Sequence, residues 1–223
     1  MKVLVACEES QRVCTAFREK GHEAYSCDIL EPSGGHPEWH ILGDVLPLLN
    51  GHCTFETMDG MNHEIQERWD LIIAFPPCTK TTNAGARHLW CGGKLNIPRF
   101  YEGLCGKALF TAIMAADCEK IAIENPTPSA VFQYPNASQA IQPYEHGHSA
   151  TKRTCLWLKG LPLLRPSNLV ERPVYKKFTQ KNGNVRSTCW EMDCGEPFGG
   201  EERARQRSKT FPGIAKAMAD QWG

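Results

Sequence analysis

The chain has no excess of either charge. Lys plus Arg number 25 and Asp plus Glu number 25 among its 223 residues. A uniformly basic nucleic-acid coat and an acidic solvating tail are therefore excluded, although a local basic patch is compatible with neutrality. No apolar run approaches the roughly 18 residues a membrane span needs. The apolar opening Met1–Ala6 turns acidic at Glu8 and Glu9, too soon for the core of a secretory leader. These absences predict a cytoplasmic chain with no membrane partner. Repeats and low-complexity segments are missing, which excludes solenoids and fibrous folds. No two of the eleven cysteines form a Cys-x-x-Cys pair. Their odd number and scattered spacing argue against a disulfide framework, and most are expected to be small buried apolar residues.

What is there is a globular composition. Hydrophobic residues are 41% of the chain, and its length suits one full domain with a small appendage. Lys2–Cys7 reads as a short buried strand. Ser10 offers a helix cap, Val13, Cys14 and Phe17 follow at helical spacing, and Gly21 closes the helix. Strands are expected at Glu23–Cys27, Trp39–Gly43, Asp70–Phe75, Lys120–Ile123 and Thr154–Leu158. Helices are expected near Tyr101–Asp117 and Ile214–Trp222. Strands alternating with helices predict an α/β fold, a mostly parallel sheet with helices on both faces. Residues 161–202 hold turn residues, weak periodicity and several basic side chains, and read as the irregular appendage. Residues 1–160 and 203–223 make the main domain.

In such sheets ligands bind beyond the carboxyl ends of the strands. Here those ends carry Cys7, Glu8 and Glu9, then Asp28, Asp44, Cys78, and Glu124 with Asn125. A carboxylate at Asp28 can accept hydrogen bonds from ribose hydroxyls, and Asp44 can accept from an adenine amino group. Either can equally cap the turn that follows it. The first loop has no glycine, so it is a poor cradle for pyrophosphate but admits an adenosine cofactor without phosphates. Pro76-Pro77 stiffens the backbone and aims Cys78 off the end of a strand. A cysteine nucleophile must be a thiolate, for which helix N-terminal amides or Lys80 are candidate stabilisers. Glu124, partly desolvated, suits a general acid or a partner for a bound base.

Pro76-Pro77-Cys78 after a buried strand, with Ile123-Glu124-Asn125-Pro126 following in order, resembles the S-adenosylmethionine-dependent DNA cytosine-5 methyltransferases, in the short form that bacteriophages and prophages carry. Asp28, Gly43-Asp44-Val45 and the closing Phe211-Pro212-Gly213-Ile214 stand in the family's order. The resemblance implies a Rossmann-like methyltransferase domain in a bacterial or phage-infected cytoplasm, acting on DNA as a monomer or weak dimer. It implies S-adenosylmethionine held by Cys7, Glu8, Glu9, Asp28, Ile29, Asp44, Val45, Phe75 and Pro76. It implies catalysis by Cys78, Glu124 and Arg153. Pro77, Asn125, Lys152, Lys176 and Lys177 would contact the substrate. Cys78 would add to ring carbon 6 of a flipped-out cytosine while Glu124 holds ring nitrogen 3 and the exocyclic amine.

Three departures from the family stand out. Cys7-Glu8-Glu9-Ser10-Gln11 replaces its glycine-rich loop; Thr151-Lys152-Arg153-Thr154-Cys155 keeps one of two arginines of its Gln-x-Arg-x-Arg motif; and the target-recognition region shrinks to the appendage, where Arg172, Lys176, Lys177, Lys181 and Arg186 could grip phosphates. The short chain keeps two alternatives open, a methyltransferase for dCMP or dCTP and a non-catalytic binding protein on the same fold. Cys189, Cys194, His146 and His148 are too loosely spaced to predict a zinc site. A zinc deaminase is excluded, because Thr79, Lys80 and Thr81 follow Cys78 where a second cysteine is required.

Overall fold

A computed structural model of the chain describes residues 1–86, 88–175, 177–179, 183, 185–187 and 206–223. In chain order the elements are β1 (Lys2–Ala6), α1 (Arg12–Glu19), β2 (Glu23–Asp28), β3 (His40–Leu42), β4 (Cys53–Glu56), β5 (Asn62–Ile65), β6 (Leu71–Ala74), α2 (Asn83–Ala86), β7 (Trp90–Cys91), β8 (Lys94–Leu95), α3 (Ile97–Met114), β9 (Ile121–Pro126), β10 (Gln139–Ile141), β11 (Thr154–Lys159), β12 (Lys177–Thr179), β13 (Val185–Ser187) and α4 (Pro212–Trp222). Seven strands form the central sheet in the order β10-β11-β9-β6-β1-β2-β3. β3, β2, β1, β6 and β9 run parallel, and β11 runs antiparallel between β9 and β10. The α/β expectation holds at this level.

Side-chain alternation explains the layers. On β1, Val3 and Val5 face one side of the sheet, while Leu4 and Ala6 face the other. On β6, Leu71 and Ile73 share the first side, and Ile72 and Ala74 the second. The first side is covered by α1 through Val13, Cys14 and Phe17, and by α4 through Ile214, Ala217, Met218 and Trp222. The second side is covered by α3 through Phe110 and Ile113, by the β4–β5 hairpin through Phe55 and Ile65, and by Trp69. Strands buried on both faces read as continuous apolar runs, which is why β1 and β6 were recognisable from the sequence.

The crossovers differ from the expected helices. Between β3 and β6 the chain makes an antiparallel hairpin, turning at Asp59-Gly60, where Gly60 has φ +83°. Asp59 accepts from the Thr57 hydroxyl at 2.7 Å and from the Met61 N–H at 3.2 Å. Asp-Gly at such a turn is a hairpin signal in the sequence. α3 starts at Ile97 rather than near Tyr101, because Asn96 accepts from the Arg99 N–H and Pro98 fits the first turn.

The expected appendage is tied into the main domain at its start. Gln139 exchanges both hydrogen bonds with the backbone of Leu164, at 3.0 and 2.7 Å. Gln221 of α4 does the same with Arg165 at 2.8 Å, and the Trp222 indole donates to the Pro162 carbonyl at 3.1 Å. Beyond this, β12 and β13 form a two-stranded hairpin. Among the described residues no helix is long and apolar enough to cross a membrane.

α4 begins against the loop before β11. Gly213 donates its N–H to His148 Nε2 at 2.8 Å, and a Cβ there would fall 1.8 Å from the His146 carbonyl oxygen. Gly213→Ala is expected to cost roughly 1–3 kcal/mol by overpacking, seen as a thermal midpoint lowered by several degrees. An unchanged midpoint would disprove this close approach.

Candidate active site

Because five adjacent strands, β9-β6-β1-β2-β3, are parallel, their carboxyl ends lie along one edge. Sheet growth reverses between β1 and β6, the place where sheets of this kind form a ligand crevice. β3, β2 and β1 deliver Asp44, Asp28 and Cys7 to one half. β6 and β9 deliver Cys78 and Glu124 to the other, and Lys152 joins them from the lead into antiparallel β11.

In the first half, the Cys7 thiol is pushed up to about 12 by burial and then by the charges of Asp28 and Asp44. Both carboxylates thus act electrostatically on the same thiol. Each also caps its own turn: Asp28 Oδ1 accepts from the Leu30 N–H and Asp44 Oδ1 from the Leu46 N–H, both at 3.0 Å. One such bond leaves most of a carboxylate's acceptor capacity free. Burial raises the Asp28 carboxyl, while the Leu30 N–H and His40 pull it back. Ile29 beside it is 77% exposed, available to a ligand.

The first loop solves its lack of glycine in its own way. Cys7 and Gln11 both adopt left-handed backbone conformations, with φ 58° and 55°. Such positions in non-glycine residues persist only where the surroundings hold them. For Gln11 the holder is its side chain: Nε2 donates to Ser26 Oγ (3.2 Å) and to the His36 carbonyl (2.8 Å), and Oε1 accepts from the His36 N–H (3.1 Å). Ser26 Oγ in turn meets His40 Nδ1 at 2.8 Å. His40 Nε2 lies 3.0 Å from the Leu30 carbonyl, which only accepts, so Nε2 carries the proton. This chain of bonds fixes the loop after β2, and Gln11 was not among the residues singled out from the sequence.

Three expected cofactor contacts serve the fold instead. Glu8 accepts from the Val13 and Cys14 N–H groups at 2.7 and 3.1 Å, and so caps α1 in place of the expected Ser10. Burial still pushes its carboxyl up to about 7. Val45 is buried in the core, and Phe75 packs half-buried against the α1–α4 layer. Glu9 is buried near Asp28 and His40. Pro76 is buried under the crevice and Pro77 is exposed.

In the second half, Cys78 is partly buried, and its carbonyl accepts from the N–H groups of Thr81 and Thr82, both at 3.0 Å. Those amides are thereby engaged and do not serve the thiol. Burial, then the Glu124 carboxylate, push the thiol up to about 11, while Lys152, then the Cys78 backbone N–H and last Arg207 pull it down. Lys80 has no part in this: it pairs with Glu102 of α3 at 2.5 Å. Of the expected stabilisers, Lys80 is engaged elsewhere, and the largest opposing influence is Lys152, from the segment before β11. The influence of Lys152 on Cys78 was invisible from the sequence, because it depends on the packing of the segment before β11.

Glu124 is raised by burial and held down by Lys152 and the Thr154 hydroxyl. Asn125 is buried beside it. Arg153 is exposed and donates to Thr127 Oγ1 at 2.6 Å and Cys155 Sγ at 3.2 Å. It thus stands at the rim just past β9, while Lys152 is the cation that acts on both Cys78 and Glu124. Of the expected phosphate-gripping residues, Arg172 is exposed, Lys177 and Arg186 lie on the β12–β13 hairpin, and Lys176 and Lys181 lie outside the described residues. Cys189 and Cys194 also lie outside them. His148 accepts from Gly213, and His146 Nδ1 meets Ser167 Oγ at 3.0 Å.

The arrangement can form a nucleophile beside a proton-holding carboxyl in one half of a crevice. In the other half it can bind a polar ligand between two carboxylates. Compared with models of known protein families and with curated protein sequences, the chain matches none.

Proposed function

We propose that this chain is an S-adenosylmethionine-dependent methyltransferase acting on carbon 5 of cytosine in DNA through a covalent cysteine adduct. The observation that carries the reading is the pairing of Cys78 with Glu124 across the ends of neighbouring strands, with Lys152 acting on both. The strand order around the crevice, with one reversed strand near the far edge, is compatible with the methyltransferase form of the α/β fold.

The first half of the crevice fits the cofactor. Asp28 would accept from ribose hydroxyls and Asp44 from the adenine amino group, with Cys7 and Ile29 alongside. A glycine-free loop is no obstacle where no phosphate must approach. The bound cofactor supplies an electrophilic methyl group.

The chain's own groups supply the rest. Carbon 5 of cytosine is a poor nucleophile until Cys78 adds to carbon 6. Glu124, with its raised carboxyl, holds a proton against ring nitrogen 3 and accepts from the exocyclic amine. A protonated Glu124 also removes the negative charge that opposes the Cys78 thiolate. Lys152 favours that thiolate from the open side. Loss of the carbon 5 proton and departure of Cys78 complete the turnover.

The cofactor half is tested by isothermal titration with S-adenosylmethionine. Micromolar binding is expected, weakened at least about tenfold in Asp28→Ala, the loss of one or two charge-assisted hydrogen bonds. Absence of binding in the wild-type chain would overturn the methyltransferase reading in favour of a binding protein on the same fold.

A further inference from the structure

The residues after Cys78 fold into a compact turn. The Cys78 carbonyl accepts from the Thr81 and Thr82 N–H groups, both at 3.0 Å, and from the Thr81 hydroxyl at 3.2 Å. One side of this turn is tied to the segment after β9. The Ser129 N–H donates to the Thr81 carbonyl at 2.7 Å, and the Asn83 N–H to the Thr127 carbonyl at 3.2 Å. The other side meets α3. Arg99 donates from Nε and Nη2 to the Gly85 carbonyl, at 3.3 and 3.1 Å, and from Nη2 to the Thr79 carbonyl at 3.4 Å. One turn further along α3, Glu102 pairs with Lys80. Thr79 and Gly85 pack closely, since a Cβ on Gly85 would overlap the Thr79 carbonyl oxygen. Glycine at 106 lets α3 approach the same turn: a Cβ there would stand 3.3 Å from the Pro77 carbonyl oxygen.

We propose that Arg99 is a positioning residue for Cys78: its guanidinium clasps the Thr79 and Gly85 carbonyls and so closes the turn that holds the sulfur at the crevice. This rests on the reading of Cys78 as the nucleophile. On its upstream side Cys78 is fixed by Pro76-Pro77, which leave β6 with little backbone freedom. On its downstream side the peptide has no strand to continue, and the clasp takes over. Thr79 is the next residue after Cys78, and Gly85 stands six residues further on, so one side chain gathers both ends of the turn. α3 is a firm base for it, because Phe110 and Ile113 anchor that helix in the core under the sheet. The choice of arginine has a physical reason. A guanidinium presents its donors in a rigid planar fork and serves two carbonyls at once, whereas an ammonium lacks that fork. Arg99 acts on the reaction only through the turn, by keeping the nucleophile in one place.

The test reads Cys78 directly. The full chain is treated with iodoacetamide at pH 8, and alkylation of each cysteine peptide is followed by mass spectrometry. Only the thiolate reacts. Arg99→Met keeps the apolar stem and removes every donor. The start of α3 persists, because Asn96 caps it through the Arg99 backbone N–H. Arg99→Met is expected to speed Cys78 alkylation by about three- to tenfold, since a loosened turn exposes the thiol. Cys14 and Cys27, fully buried in the core, should stay as slow as in the wild type. The sign separates position from charge, because removing a cation would by itself disfavour the thiolate and slow the reaction. Arg99→Lys keeps the charge without the fork and should fall between the two. In methyl transfer, Arg99→Met should lower kcat by about tenfold or more and leave cofactor affinity unchanged. A Cys78 alkylation rate equal to or below the wild type overturns the proposal. So does a rise shared by Cys14 and Cys27, the mark of a merely structural role, and so does an unchanged kcat beside a faster Cys78. A wild-type chain that transfers no methyl group would defeat the function proposed above, while alkylation still reports on the clasp.

Discussion

Cys78→Ser protein is expected to bind S-adenosylmethionine as the wild type does and to transfer no methyl group, a loss of at least about 10³-fold. The separation follows from the sheet. Cys78 leaves β6, on one side of the point where sheet growth reverses, while Asp28 and Asp44 leave β2 and β3 on the other. A serine hydroxyl has nearly the shape of the thiol, so the Pro76-Pro77 turn and the bonds from Thr81 and Thr82 to the residue 78 carbonyl persist. Its chemistry does not persist, because a hydroxyl without an adjacent base is not ionised at any pH the protein tolerates. Radiolabelled methyl transfer to cytosine-containing DNA, beside calorimetric titration of the cofactor, measures both quantities. Residual transfer within tenfold of wild type would eliminate the covalent mechanism. Loss of cofactor binding together with activity would show that the two halves of the crevice are not independent.

Glu124→Gln is expected to slow methyl transfer by about 10²-fold or more while making Cys78 easier to ionise. The two effects have one cause. The Glu124 carboxylate is the second largest influence raising the Cys78 thiol, after burial. An amide removes that charge, so the thiol midpoint falls and alkylation at pH 8 quickens. The same amide cannot deliver a proton to ring nitrogen 3. The sign for Glu124 itself is set by burial, which raises its carboxyl above the usual range. Folding therefore favours the protonated form. That contribution to stability is complete below the ordinary carboxylate pKa and is lost as pH rises through the raised one. Rate and alkylation moving in opposite directions would support Glu124 as a proton-holding partner. A fall in both would mean that the variant has disturbed the packing of β9.

The resemblance to cytosine-5 methyltransferases rested on short, local features, and these survive folding because they are local. Pro76-Pro77-Cys78 had to form a stiff exit from β6, since two prolines remove the donors that would continue the strand. β1 from Val3 to Ala6 and the whole of β6 are apolar, so their burial on both faces was readable. What escaped notice depended on contacts between distant residues. Glu8 looked like a ligand contact because its partners, the N–H groups of Val13 and Cys14, become acceptor-seeking only once α1 exists. Lys80 looked like the cation for Cys78 because it lies two residues away, yet Glu102 on α3 takes it.

The sequence by itself determined the α/β class and the order of the chemical endings of the parallel strands, with Cys78 just past β6 and Glu124 on β9. Periodicity and proline stereochemistry act over a few residues and need no partner. The tertiary structure alone decided which charges act on that pair. Lys152 lies far along the chain from Cys78, and only the pairing of β11 with β9 brings it to act on both Cys78 and Glu124. Electrostatic influence falls with distance in space, not along the chain, so this part of the site became visible only once the sheet and its helices were assembled.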